Sequence, residues 1–488
     1  MKQLPVNLAR IARAVMLTSA LGPLAMAGYA QPDPSATLRL RMDHTLTPAA
    51  HAEPERPGLD QADLFMPGSI SCRALTPQVL SRLTLLATVE HVLCKNPALN
   101  QALMLVDEQQ AGVDLARSAF RPRVSASAEF STNGIPSNNS GAGFLGSSLT
   151  GSLGLSWVLY DSGVRNATVE LTRQLLNSAR AGQQTATLNA VNDALRLYVE
   201  AATAWARLDA LRETETVARQ SLEVAQAKHE AQVASLAEKL QAMTALAQAT
   251  LDRVRAEGVW ETARGLLALA MGFAAKEPLE LAPINAAFPG ASAHRAMSEW
   301  VVSAKRDHPR LRGGRADVLA LKSRLDSIRA EDKGSVLLSM GTGSSRDLST
   351  PGSGFERSVS GYVIARVPIF NGAEQQAREG QVLAQIASRE AALAQIERDV
   401  ESELWRNARL LETEAQNFEA AKLLLYAATQ SYQITFGRYK AGVGSILELI
   451  GTQAALSTAR AQLTQAQLAH VQARLRLEVA SGHLLLSN

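Results

Sequence analysis

Cysteine is almost absent: Cys72 and Cys94 are the only two in 488 residues. That scarcity excludes a disulfide-dense scaffold and a thiolate zinc site. The pair itself admits two readings, a disulfide between the N-terminal arm and the first helix or two unpaired thiols. Long hydrophobic runs are missing as well. Beyond the N-terminus no stretch approaches the ~18 apolar residues of a membrane-spanning helix, which excludes helical spans. The eight histidines are scattered, with no His-Glu-x-x-His pattern. His91, His229 and His470 fall on helical sequence and read as packed or solvated. Gly-x-Gly-x-x-Gly and phosphate-loop patterns are lacking, and Ser162-Gly163 and Gly341-Thr342-Gly343 lie in the wrong context for either. Neither a metal, a cofactor nor a catalytic constellation is legible, so enzyme activity is not expected.

The N-terminus reads as a secretory signal over residues 1–30. Lys2, Arg10 and Arg13 form its basic region, Ala14 to Leu24 its short apolar core, and cleavage falls after Ala27 or Ala30. No cysteine lies near that point, so a lipid anchor is not indicated. Removal of the segment lowers the formal net charge from +3 to zero. A neutral chain offers no electrostatic case for nucleic acid, whose affinity rests on phosphate neutralisation. An exported chain without helical spans is periplasmic, secreted or an outer-membrane β-barrel.

Proline is absent from Ser162 to Ala231 and again from Asn371 to Lys440. Both stretches are helical in pattern. In the first, Leu188, Val191, Leu195, Tyr198, Ala202 and Trp205 follow a coiled-coil spacing. In the last segment Leu449, Leu456, Leu463 and Leu477 share a seven-residue row with His470. About seventy residues at ~1.5 Å each make a helix of roughly 105 Å, longer than a globular domain needs. Landmarks in the two halves stand 210 positions apart: Tyr160 and Phe370, Ser235 and Ser445, Glu238 and Glu448. A constant offset requires two copies of one unit with helices of equal length. The expected organisation is a mobile arm at 31–77, a first repeat at 78–275, a linker at 276–294 and a second repeat at 295–488. Helix is expected over about 77–119.

Short alternating segments sit between the helices. Val124, Ala126, Ala128 and Phe130 share one face, as do Leu149, Gly151, Leu153, Leu155, Trp157 and Leu159. In the second half Val336, Leu338 and Met340 share a face, and so do Val359, Gly361, Val363, Ala365, Val367 and Ile369. The Gly/Ser-rich stretches 131–148 and 341–357 read as loops. Apolar residues on one side and Ser, Gly and Thr on the other fit a transmembrane barrel; the competing reading is a soluble sandwich. Four strands cannot close a barrel, and an open sheet edge is not tolerated in lipid. Two chains would supply eight strands and three chains twelve; the small inward residues favour three and an open lumen.

Three further segments carry a family resemblance. They are Lys95-Asn96-Pro97-Ala98-Leu99 with its counterpart Asp307-His308-Pro309, Val367-Pro368-Ile369-Phe370-Asn371-Gly372, and Arg438 to Leu449. On these the chain resembles the TolC-type outer-membrane channels over residues 78–488. The resemblance implies a mainly α fold: long coiled-coil helices forming a periplasmic tunnel closed at its lower end, and four strands per chain in a twelve-stranded trimeric barrel. It implies a homotrimer in outer-membrane lipid, docked to a membrane-fusion adaptor and an inner-membrane transporter. The cargo is then protein toxin in type I secretion or small molecules in efflux, and the missing lipid-attachment cysteine leans towards protein. The turns Val233, Ala234, Ser235 and Gly442, Val443, Gly444, Ser445 correspond to the adaptor-docking turns. Tyr439 matches a latch tyrosine, Gly444 replaces a latching basic residue, and Glu448 matches the first of two constricting acids, the second falling on Gly451. Glu238 is the equivalent of Glu448 in the first repeat. An acidic, cation-preferring constriction with fewer closing contacts is expected; Glu448 as a plain solvated carboxylate is the other reading. A coiled-coil scaffold or adhesin competes with the whole reading.

Overall fold

The computed structural model describes residues 82–135, 144–282, 297–350 and 352–482. The expected signal segment, the arm, Cys72 and positions 283–294 of the expected linker lie outside the described residues. Within them one element series occurs twice. The first series is α1 (Leu85–Lys95), α2 (Pro97–Ser118), β1 (Arg123–Ile135), β2 (Phe144–Tyr160), α3 (Val164–Glu230) and α4 (Leu236–Ala270). The second is α5 (Met297–Asp307), α6 (Pro309–Glu331), β3 (Ser335–Asp347), β4 (Glu356–Arg366), α7 (Glu374–Lys440) and α8 (Ile446–Ala480). Helices α3 and α7 both have 67 residues, and α4 and α8 both have 35. The offset is 210 throughout those four helices, whereas Leu85 to Met297, Pro97 to Pro309 and Arg123 to Ser335 are 212 apart. The hairpins absorb the difference.

The helix expected over 77–119 is broken in two at Asn96. Its side-chain oxygen accepts from the Ala98 amide, and Pro97 opens α2. In the second series His308 Nδ1 accepts from the Arg310 amide ahead of Pro309. Proline fits the first helical position because it has no N–H to satisfy there.

Helix α3 packs on α4 and α2 of its own series and on α6 and α8 of the other. A helix of this length has no single core to lie on, so burial is distributed along it. Leu188, Val191, Leu195, Tyr198 and Ala202 of the expected seam are buried, while Trp205 stays partly exposed against Trp260. The Tyr198 hydroxyl donates to the Leu83 carbonyl at 3.2 Å, and burial pushes its pKa up to about 12. Leu83 in turn pairs with Leu281, and Leu279 and Ala282 are buried. The start of the expected linker therefore packs against the first series. Cys94, in α1, is disulfide-bonded.

The four strands form one antiparallel sheet in the order β1-β2-β3-β4. The register sets Val124 opposite Leu155, Ala126 opposite Leu153 and Phe130 opposite Leu149 on one face. On the other, Ser127 faces Ser152 and Ser131 faces Ser148, each pair with hydroxyl oxygens 2.8 Å apart. Leu338 with Val363 and Met340 with Gly361 extend the apolar face, and Gly341 with Ser360 and Gly343 with Ser358 extend the polar one. Two expectations fail here. Much of the Gly/Ser stretches is strand, since 131–135, 144–148 and 341–347 continue the ladders. Their small side chains show little apolar alternation, yet the backbone pairs on as an antiparallel hairpin requires. Conversely β4 stops at Arg366 instead of running to Ile369. Pro368 has no N–H for a ladder, and Val367, Ile369 and Phe370 are exposed. A bulge at Leu159 shifts the register between Val158 and Tyr160.

Candidate functional site at the helical tip

Each long helix ends in the same turn. At the end of α3 the Val233 amide donates to the Lys228 carbonyl and the Gln232 amide to His229. At the end of α7 Val443 donates to Arg438 and Gly442 to Tyr439. This is the Schellman closure, which needs a left-handed residue just past the helix. Gln232 takes that place at φ 59° and Gly442 at φ 81°. Ser235 and Ser445 then cap the return helices, their hydroxyls accepting from the Glu238 and Glu448 amides at 3.3 and 3.2 Å. The Ser-x-x-Glu spacing was visible in both repeats and marks a helix start. Glu448 thus has a structural place in the first turn of α8, where the helix dipole favours an acid.

The turns and the helix starts that follow them expose the apolar side chains of Val233, Leu236, Val443 and Leu447. Gly444 is held by crowding: a Cβ there would lie 3.0 Å from the Tyr439 nitrogen and 3.2 Å from the Arg438 carbonyl carbon. A bulkier residue at 444 requires a different path for the end of α7.

Tyr439 is fully buried, packed with Ala225, Ala242, Ile446 and Leu449. Lys228 of the other repeat lies on it, its ammonium 3.8 Å from the ring centroid and donating to the Tyr439 carbonyl at 2.5 Å. Burial, and secondarily the Glu238 carboxylate, raise the Tyr439 pKa above its ordinary value. The phenol is neutral at physiological pH, and its hydroxyl has no hydrogen-bond partner among the described residues. Glu448 is exposed and bound to Arg438 at 3.0 Å. The fold thus sets Lys228 against Tyr439, with the Glu238 charge felt by the phenol, and sets Glu448 against Arg438. The sequence reading had singled out neither cation. Their signal was positional: Lys228 and Arg438 are equivalent under the offset of 210, each seven residues before a capping serine.

No helix among the described residues is long and apolar enough to cross a membrane. The profile of the outer membrane efflux protein family matches residues 88–273 and 300–483, one segment in each repeat. The chain belongs to that family. Protein CyaE of Bordetella pertussis is 31% identical over 383 residues, covering 78% of this chain and 80% of CyaE. The solved structure of the transmembrane channel CusC has a TM-score of 0.72 at 18% identity, with 86% of this chain and 97% of CusC covered. The outer membrane channel CmeC of Campylobacter jejuni has a TM-score of 0.70 at 16% identity, covering 84% and 88%. This family member is thus an outer-membrane protein with a TolC-like fold, and the scaffold reading falls.

Proposed function

We propose that the chain is the outer-membrane channel of an export machine in a Gram-negative cell. Three copies close a twelve-stranded barrel, four strands from each, and their long helices continue as a tunnel into the periplasm. One observation carries this reading. Strands β1 and β4 are both open edges of a sheet whose outward face is apolar and whose other face is Ser and Gly. Lipid forbids such edges, and small polar residues leave the lumen clear.

The cargo is protein toxin, passed in type I secretion with a membrane-fusion adaptor and an inner-membrane ABC transporter that supplies the energy. The chain performs no chemistry of its own. The exposed valines and leucines of the two turns are the adaptor's contact, and Glu238 and Glu448 lend the tip a cation preference moderated by Lys228 and Arg438. Extraction in mild detergent, mass measurement and planar-bilayer conductance test the reading. A trimer forming pores is expected; a pore-free monomer overturns it.

A further inference from the structure

At the end of the sheet remote from the helices, charge is sorted by face. Arg346 of β3 stands opposite Leu149 and Arg357 of β4 opposite Ser344, both on the face that carries Leu153, Leu338 and Val363. The acids of the same region take the other face. Glu129 stands opposite Thr150, Asp347 opposite Ser148 and Glu356 opposite Ser345, all on the Ser/Gly side. Asp347 is moreover committed to its own turn, accepting from the Ser349 amide and the Thr350 hydroxyl. Strand alternation therefore keeps every one of these carboxylates away from the two guanidinium groups.

Both arginines are exposed, and neither has an acidic partner among the described residues. The Arg346 guanidinium rests 5.3 Å from the centroid of Phe355. Because antiparallel neighbours lie in register, Arg346 and Arg357 are diagonal neighbours, two rungs apart. Leu149, Phe355 and Val359 border them with exposed apolar surface.

Height along the sheet decides what they meet. From Val336, beside the helix junction, to Arg346 is ten residues. At ~3.3 Å each and a tilt of ~40°, this is a rise of about 25 Å, the height of the apolar band of an outer-membrane barrel. Trp157 and Tyr160 occupy the lower boundary of that band, as interfacial aromatics do. The two arginines occupy its upper boundary, where the outer leaflet presents its headgroups. Two unpaired guanidinium forks facing lipid at this level match phosphate geometry and charge, and the apolar border matches acyl chains.

We propose that Arg346 and Arg357 form a binding site for the phosphates of lipid A, the diphosphorylated glycolipid of the outer leaflet. The inference rests on the outer-membrane channel reading above. In the experiment, the purified full-length protein is reconstituted into nanodiscs. Binding of diphosphoryl lipid A is then compared with monophosphoryl lipid A and phosphatidylglycerol. The wild-type protein is expected to prefer diphosphoryl lipid A, and the double variant Arg346→Ala/Arg357→Ala to lose at least tenfold in that affinity with trimer mass and conductance unchanged. Should the double variant fail to assemble, the single variants Arg346→Gln and Arg357→Gln are each expected to lose severalfold. Retention of wild-type lipid A affinity in these variants, or equal wild-type binding of phosphatidylglycerol, overturns the site. A wild-type protein without pores overturns the channel reading instead, so the two failures are distinguishable.

Discussion

The Lys228 ammonium lies 3.8 Å from the Tyr439 ring centroid and bonds the Tyr439 carbonyl, tying the last turn of α3 to the last turn of α7. The link uses the ring face and the backbone, while the phenol hydroxyl is buried without a partner. Lys228→Met is therefore expected to loosen the tip, with a partly desolvated cation–π contact contributing about 1–2 kcal/mol. Tyr439→Phe keeps both contacts and removes an unsatisfied polar atom, so its stability is expected to equal or slightly exceed wild type. Single-channel recording checks the pair: a rise in open probability for Lys228→Met and none for Tyr439→Phe. The opposite pattern would return the latch to the hydroxyl.

Glu448 was expected to make the constriction acidic, and the structure gives it a cation at 3.0 Å. Both side chains are about half exposed, so the pair contributes only about 0–1 kcal/mol to stability. Its effect is on the local field. Arg438→Ala uncovers the carboxylate and is expected to raise the cation-to-anion permeability ratio. Glu448→Ala is expected to lower it, and the double variant to fall between. Reversal potentials under a salt gradient measure this, and unchanged selectivity in both single variants would remove Glu448 from the ion path.

The architecture was legible because the repeat offset is a length constraint. An offset of 210 held from the pair Tyr160 and Phe370 to the pair Glu238 and Glu448 forces α3 to equal α7, and both have 67 residues. The lower strands were legible because lipid demands strict alternation there. Their upper halves were not. Thr342 and Ser344 lie on the lipid side with no apolar signature, and the Gly/Ser composition of 131–148 matches a loop as well as a lumen wall. Strand β4 was overextended because alternation continues through Val367 and Ile369 while Pro368 ends the hydrogen bonding. At the tip, Tyr439 and Glu448 were singled out through resemblance. Lys228 and Arg438 were passed over because a cation near a helix C-terminus is ordinary; only the contact with the other repeat makes Lys228 special.

The junction below the sheet is asymmetric between repeats. Arg165 binds Asp161 at 2.7 Å and the Val158 carbonyl at 2.8 Å, and stacks over Phe120. The equivalent positions in the second repeat are Gln375 and Asn371, which cannot form that pair. Arg165 and Asp161 are both largely buried. Arg165→Met leaves Asp161 uncompensated and is expected to destabilise the first hairpin by about 3–5 kcal/mol. Arg165→Lys is expected to rescue poorly, since an ammonium has no planar fork to span the carboxylate and the carbonyl. Gln375→Met is expected to cost far less. Heat-induced dissociation of the detergent-purified oligomer ranks the three, and similar midpoints for Arg165→Met and Gln375→Met would refute the asymmetry.

The two turns also supply an internal control for the glycines. Gln232 and Ala234 occupy in the first turn the places of Gly442 and Gly444 in the second, with the same amide-to-carbonyl bonds. A Cβ is thus compatible with the hydrogen bonding of this turn. At 444 the atoms it meets belong to Arg438 and Tyr439, one paired with Glu448 and the other held by Lys228. Gly444→Ala is therefore expected to cost more in the wild-type background than in Lys228→Ala, with a coupling of about 0.5–1.5 kcal/mol between the two sites. Gly442→Gln, which requires only a left-handed backbone, is expected to cost about 1–2 kcal/mol in either background. Amide exchange across 441–449 in the wild type, Gly444→Ala, Lys228→Ala and the double variant reads the coupling directly. Strict additivity of Gly444→Ala and Lys228→Ala would mean that Lys228 does not restrain the end of α7.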